Sequence, residues 1–210
     1  MVLTQQASLY EHLFAITTIM KQRVVERFSG DTIDERWDLH NLSGTGSGAM
    51  VDAINEGFQV LSDTVSGRAT AFGFNNIRQY DPVNCIVIFV ARRVSTINSV
   101  ADIGFTNDEP DGSSTHKAEV RLDQNNSVYA LLTGDGTQTS QNGTVSTDTV
   151  FHSFKLELGS ADIKMTIDGI LDVTKTTNRP TLKLQPWFRA SNRVTGAAEL
   201  HIRYLEAYNT

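Results

Sequence analysis

The stretch "FHSFKLELGSADIKMTIDGILDV", residues 151–173, limits the possible folds of this chain more than any other. Phe154, Leu156 and Leu158 alternate with Lys155 and Glu157, and Ile163, Met165 and Ile167 alternate with Lys164 and Thr166. A period of two gives an extended strand one apolar and one polar face, and no helix can use it. Gly159-Ser160 separates the two runs, and Asp168-Gly169 closes the second with the residue pair that favours a tight hairpin turn. The spacing therefore predicts consecutive antiparallel strands with one face to bury, and a single sheet cannot bury it alone.

The same habit runs through the chain after Gly30. "AMVDAI", "FQVLSD", "ATAFGF", "CIVIFVARRV", "SVADIGFTND", "KAEVRLD", "SVYALLT", "TLKLQPWF" and "ELHIRYLEAY" read as strands between Gly, Asn, Asp and Ser turns. "CIVIFV" is continuously apolar, as expected of a central strand covered on both faces. Such spacing fits an all-β sandwich. Parity selects Val87, Phe89, Phe154, Leu156, Ile163, Met165, Leu200 and Ile202 for its core. Pro186 lacks an amide hydrogen and is expected at an edge or bulge.

Residues 4–27 differ. Leu9, Leu13, Ile16, Met20 and Val24 recur at helical spacing, Ser8 and Glu11 have the interval of a capping box, and Lys21, Arg23 and Arg27 suit a helix C-terminus. The reading is an N-terminal α-helix over residues 1–25 and a sandwich over 26–210. Phe14 and Ile19 widen the apolar face. A helix this short takes its stability from packing, so the face is assigned to assembly or docking, with its own sandwich as the other surface it can cover.

"FSGDTIDERW", residues 28–37, resembles the first strand and turn of concanavalin A-like jelly rolls, the superfamily of laminarinase-like glycosidases and LamG-like modules. Residues 151–188 and the closing "ELHIRYLEAYN" are similar to its later strands. The resemblance implies a concanavalin A-like jelly-roll β-sandwich, with Phe28 and Trp37 as core anchors. Laminarinase-like enzymes carry Glu-x-Asp-x-x-Glu along one strand of a concave face, where one carboxylate attacks and another protonates. That motif is missing here. "SVADIGFTND" offers Asp102, but Gly104 and Thr106 share its parity. Glu119 and Asp123 face one way, yet four strand steps separate them by about 13 Å, too far for either glycosidase geometry. Neither is given a catalytic role. Jelly rolls without catalytic residues are common among phage and viral virion proteins.

Other chemistries find no support. The net charge is −6 with no basic run, which argues against nucleic acid and anionic membrane as partners. No apolar run approaches the ~20 residues of a membrane span, and no signal peptide is legible at the start. Cys85 is the one cysteine and is expected to be buried and inert, so no internal disulfide forms. His12, His40, His116, His152 and His201 lack metal-ligand spacing. Asn107, Asp108, Glu109 and Asp111 have the oxygen donors for calcium but are read as a solvated loop.

The sequence thus leads to a non-enzymatic structural virion protein: a capsid decoration protein, or a fibre- or tail-associated component. It has no cofactor and no metal. Its expected partners are its own copies (a trimer being one form) and a major capsid or tail protein. The alternative is a carbohydrate-binding module for host or glycan attachment. For that role Trp187, opposite in parity to Leu182, Leu184 and Phe188, is expected to face outward as a glycan or interface contact.

Overall fold

A computed structural model of the chain describes residues 23–29, 33–51, 57–74, 77–94, 98–107 and 115–210. Among these residues there are fifteen strands and no helix. The first eight are β1 (Val24–Glu26), β2 (Asp38–Ser43), β3 (Ser47–Met50), β4 (Phe58–Leu61), β5 (Ala69–Gly73), β6 (Cys85–Arg93), β7 (Ser99–Thr106) and β8 (His116–Asp123). There follow β9 (Val128–Asp135), β10 (Gln138–Ser146), β11 (His152–Leu158), β12 (Ile163–Ile167), β13 (Ile170–Lys175), β14 (Gln185–Asn192) and β15 (Glu199–Asn209).

They form two antiparallel sheets. One has eight strands in the order β13-β12-β11-β6-β15-β4-β3, with β1 pairing beside β15; the other has seven, β10-β9-β8-β7-β14-β5-β2. The 151–173 segment folds as its alternation requires. Phe154 pairs with Ile167 on one side and Phe89 on the other, and Leu156 with Met165 and Val87. Asp168 takes φ 50° and Gly169 φ 82°, the left-handed pair that the hairpin needs. All eight core residues chosen by parity are fully buried.

Phe28 and Trp37 are buried as the resemblance implies. Phe28 adopts φ 42°, which turns its ring inward to 5.7 Å from Phe58 and 5.9 Å from Phe188. Trp37 packs 4.6 Å from Phe74 and 4.9 Å from Phe188. Burying each such ring is worth about 1.5–3 kcal/mol, so this cluster holds the two sheets together at one end of the sandwich. Cys85 is buried, and burial pushes its thiol far above the usual range, so it is inert.

Three expectations need correction. Val24 is no helix residue. It is a buried strand residue of β1, paired with Ala207, so the sheet begins before residue 26. The helical spacing from Leu9 ran into Val24 by coincidence of period, because β-branched Val24-Val25 suits a strand as well. Leu9, Leu13, Ile16 and Met20 lie outside the described residues, and the helix with them. Pro186 is neither at an edge nor at a bulge. It is the second residue of the interior strand β14, opposite Phe105, and pairing with β5 starts only at Trp187, so its missing amide breaks no bond on that side. The third correction, Trp187, belongs to the site below.

Candidate functional site

Alternation divides β7, β8 and β14 between two faces of the seven-stranded sheet. Ala101, Ile103 and Phe105, Ala118, Val120 and Leu122, and Phe188 and Ala190 enter the core between the sheets. The opposite parity faces outward, and the register aligns it in rows. Arg121, Asp102 and Arg189 form one row, Glu119, Gly104 and Trp187 the next, and Lys117, Thr106 and Gln185 the third. The resemblance places laminarinase-like carboxylates on this kind of face.

The first row is an ion triad. Arg121 donates from Nε to Asp102 Oδ1 at 2.8 Å and from Nη2 to Oδ2 at 3.1 Å, and Arg189 donates from Nη2 to Oδ2. The Asp102 side chain has no exposed surface. Burial pushes its carboxyl up, but the charges of Arg189 and Arg121 outweigh burial and hold it well below the usual carboxylate range. Asp102 is therefore a fixed anion with little basicity.

The second row is less well matched. Burial, helped by repulsion from Asp102, outweighs the pull of Lys117 and raises the Glu119 carboxyl to about 7. Lys117 Nζ stands 3.6 Å from Glu119 Oε1, beyond hydrogen-bonding reach, and neither Glu119 oxygen has a hydrogen-bond partner. Trp187 Nε1 and Arg189 Nε are also buried without one. Between Glu119 and Trp187 the sheet carries no side chain. A Cβ at Gly104 would lie 2.9 Å from Glu119 Cα, so only glycine allows β7 and β8 to approach here. The row therefore holds close backbone contact at its centre, with the Glu119 carboxylate on one side and the Trp187 indole on the other.

Trp187 does point away from the core cluster, but it is fully buried and not an outward platform. Parity assigned its face correctly. It did not reveal that this face is closed to solvent, with Asp102, Thr106, Lys117 and Glu119 equally buried. Asp123 is spent elsewhere: Arg193 binds it through two contacts of 2.7 and 2.6 Å, and it caps the Asn125 amide. The triad escaped sequence reading because its members come from three strands. Asn107 Oδ1 accepts from the His116 amide; Asp108, Glu109 and Asp111 lie outside the described residues.

A second titratable cluster sits at the β12–β13 turn. His152 Nδ1 lies 2.5 Å from Asp168 Oδ2 and Nε2 lies 3.1 Å from Asp148 Oδ1. Only the imidazolium can donate from both nitrogens. Burial lowers the His152 pKa, but the hydrogen bonds to Asp168 and Asp148 outweigh it and raise the value above 6.5. The stabilisation is complete below pH 6.5 and is lost as pH rises through the folded-state value. We expect the urea midpoint of the wild type to fall over that window and the His152→Gln midpoint to stay flat; parallel curves would show that the bridge does not couple to folding.

No protein-family model and no curated protein matches the sequence. Solved structures do match it. The Bacillus licheniformis β-glucanase shares 14% identity over 90% of this chain and 98% of that chain, with a TM-score of 0.63. A β-1,3-1,4-glucanase (lichenase) from a mouse hindgut metagenome shares 10% over 90% and 99%, at 0.64. The carbohydrate recognition domain of Emp47p shares 12% over 90% and 95%, at 0.60. At these identities the likeness shows the fold alone: two antiparallel sheets in a jelly-roll sandwich that matches the concanavalin A-like fold.

Proposed function

We propose that this chain is a non-enzymatic structural protein, a virion component of the capsid-decoration or fibre- and tail-associated kind. One observation carries the non-catalytic reading: the carboxylate best placed for chemistry, Asp102, is bound by two arginines and fully buried. Spacing alone does not decide the matter. Asp102 and Glu119 are diagonal neighbours across β7 and β8, about 7–8 Å apart, which lies within the range of inverting glycosidases. A glycosidase, however, needs one of the pair to activate water or attack sugar, and a doubly paired, solvent-free aspartate does neither. The virion setting rests on the resemblance to jelly rolls without catalytic residues, and the apolar positions Leu9, Leu13, Ile16 and Met20 supply the assembly face. Incubation with lichenan or laminarin should release no reducing ends, and Glu119→Gln should behave as the wild type. Hydrolysis by the wild type that Glu119→Gln abolishes would overturn the reading.

Carbohydrate binding is the second reading. The likeness to a protein described as a carbohydrate recognition domain supports it. A glycan array separates the two: the structural reading expects no tight hit, the binding reading one that Trp187→Ala removes.

A further inference from the structure

The opposite surface, the outer face of the eight-stranded sheet, carries a second polar arrangement independent of the reading above. Outward parity places Arg92 of β6 beside His201 of β15, which lies beside Gln59 of β4. The register between β6 and β15 slips between Ile202 and Tyr204, so Arg203 is the extra residue of a β-bulge, a device that re-aims a side chain. The bulge is built into the fold. Gly57 crosses it with φ 77°, and a Cβ there would lie 2.9 Å from Arg203 Cα.

The bulge sends the Arg203 guanidinium over the Phe151 ring, 3.4 Å from its centroid, and the Arg92 guanidinium lies 4.7 Å from the same centroid. Two cations thus share one aromatic ring. The nearby acid does not neutralise Arg203. Glu199 Oε1 is taken by His201 Nε2 at 2.6 Å and by Gln59 Nε2 at 2.6 Å, while His201 Nδ1 faces Arg92 Nη2 at 3.5 Å. Among the described residues no hydrogen bond or ion pair engages the Arg203 guanidinium, and its Nε is buried. Stacking fixes the guanidinium plane while leaving its terminal edge available, the presentation by which arginine recognises planar or tetrahedral oxyanions.

We propose that Arg203, held on Phe151 beside Arg92, forms a binding site for an oxyanion group such as sulfate, phosphate or carboxylate. In a chain of net charge −6, the stacked Arg203 guanidinium, with no ion-pair partner among the described residues, offers a cationic fork that would select such a group. The buried Nε–H exchanges slowly and reports on the site directly.

The test follows arginine Hε signals of the full chain by NMR during titration with sodium sulfate, and separately sodium phosphate, at ionic strength matched with sodium chloride. We expect a saturating shift of the Arg203 signal with an oxyanion and none with chloride. Saturation should weaken at least tenfold in Arg203→Lys, which keeps the charge but not the fork, and in Phe151→Leu, which removes the ring. Glucose 6-sulfate compared with sulfate distinguishes the sources: tenfold tighter binding identifies an oxyanion carried on a saccharide, equal binding a free ion. A linear shift matching that of chloride, or unchanged saturation in Arg203→Lys, would overturn the site.

Discussion

Asp102→Asn should lower the unfolding free energy by about 3–5 kcal/mol, because it strands two arginines in a buried site. The substitution keeps the shape of the side chain, so packing is preserved and the loss is electrostatic. Arg121 and Arg189, which bracket one carboxylate, would then face each other uncompensated. For a domain of this size each kcal/mol lowers Tm by roughly 2–4 °C, so calorimetry and urea denaturation should agree on a large shift. The wild type should show the same dependence on pH. The folded-state pKa of Asp102 is depressed, so its stabilisation is present above the ordinary aspartate value of 3.8 and disappears as pH falls through the lower folded value. Replacing all three members by apolar residues should restore most of the loss, since a buried ion cluster roughly breaks even against apolar packing. A change under about 1 kcal/mol in Asp102→Asn would mean that the arginines find water or other partners, and that the face is open.

Phe154→Ala should cost about 3–5 kcal/mol, the usual range for a fully buried aromatic. Its ring stacks on Phe89 at 5.1 Å and meets Tyr129 edge-on at 5.2 Å, so the cavity would open between the two sheets where neither can collapse into it. The adjacent Lys155→Ala supplies the contrast. Lys155 points outward with a third of its side chain exposed and pairs with Glu157, and surface changes of this kind stay within about 0.5 kcal/mol. Equal urea midpoints for the two variants would show that the register of β11 is off by one residue.

These two sites also mark what the sequence made legible. Phe154 was readable because a period of two survives in a strand whose one face meets the core and whose other face meets solvent. Strand β10, Gln138–Ser146, was not readable: it is an edge strand, mostly exposed, and its polar run carries no alternation to detect. Strand β1 was hidden differently, its three residues absorbed into a helical period that Val24 happened to extend. The Asp102 triad was invisible for a topological reason. Its hydrogen bonds join residues 19 and 87 positions apart, and only the strand order β8-β7-β14 brings them into one row. Trp187 shows the limit of parity: it gives the face of a side chain, and exposure depends on what lies above that face.

The pairing of β1 with β15 has a mechanical side. Val24 lies opposite Ala207 and Glu26 opposite Leu205, so the chain enters the sheet next to where its last strand leaves it. Tension applied between these neighbouring points meets the β1 hydrogen bonds one after another, not all at once. A three-residue strand loaded in this way peels like a zipper, and it has three paired positions to lose against nine in the β6–β15 ladder. The entry strand therefore acts as a short fuse: under pull it yields first and lengthens the tether, and the sandwich beyond it keeps its shape.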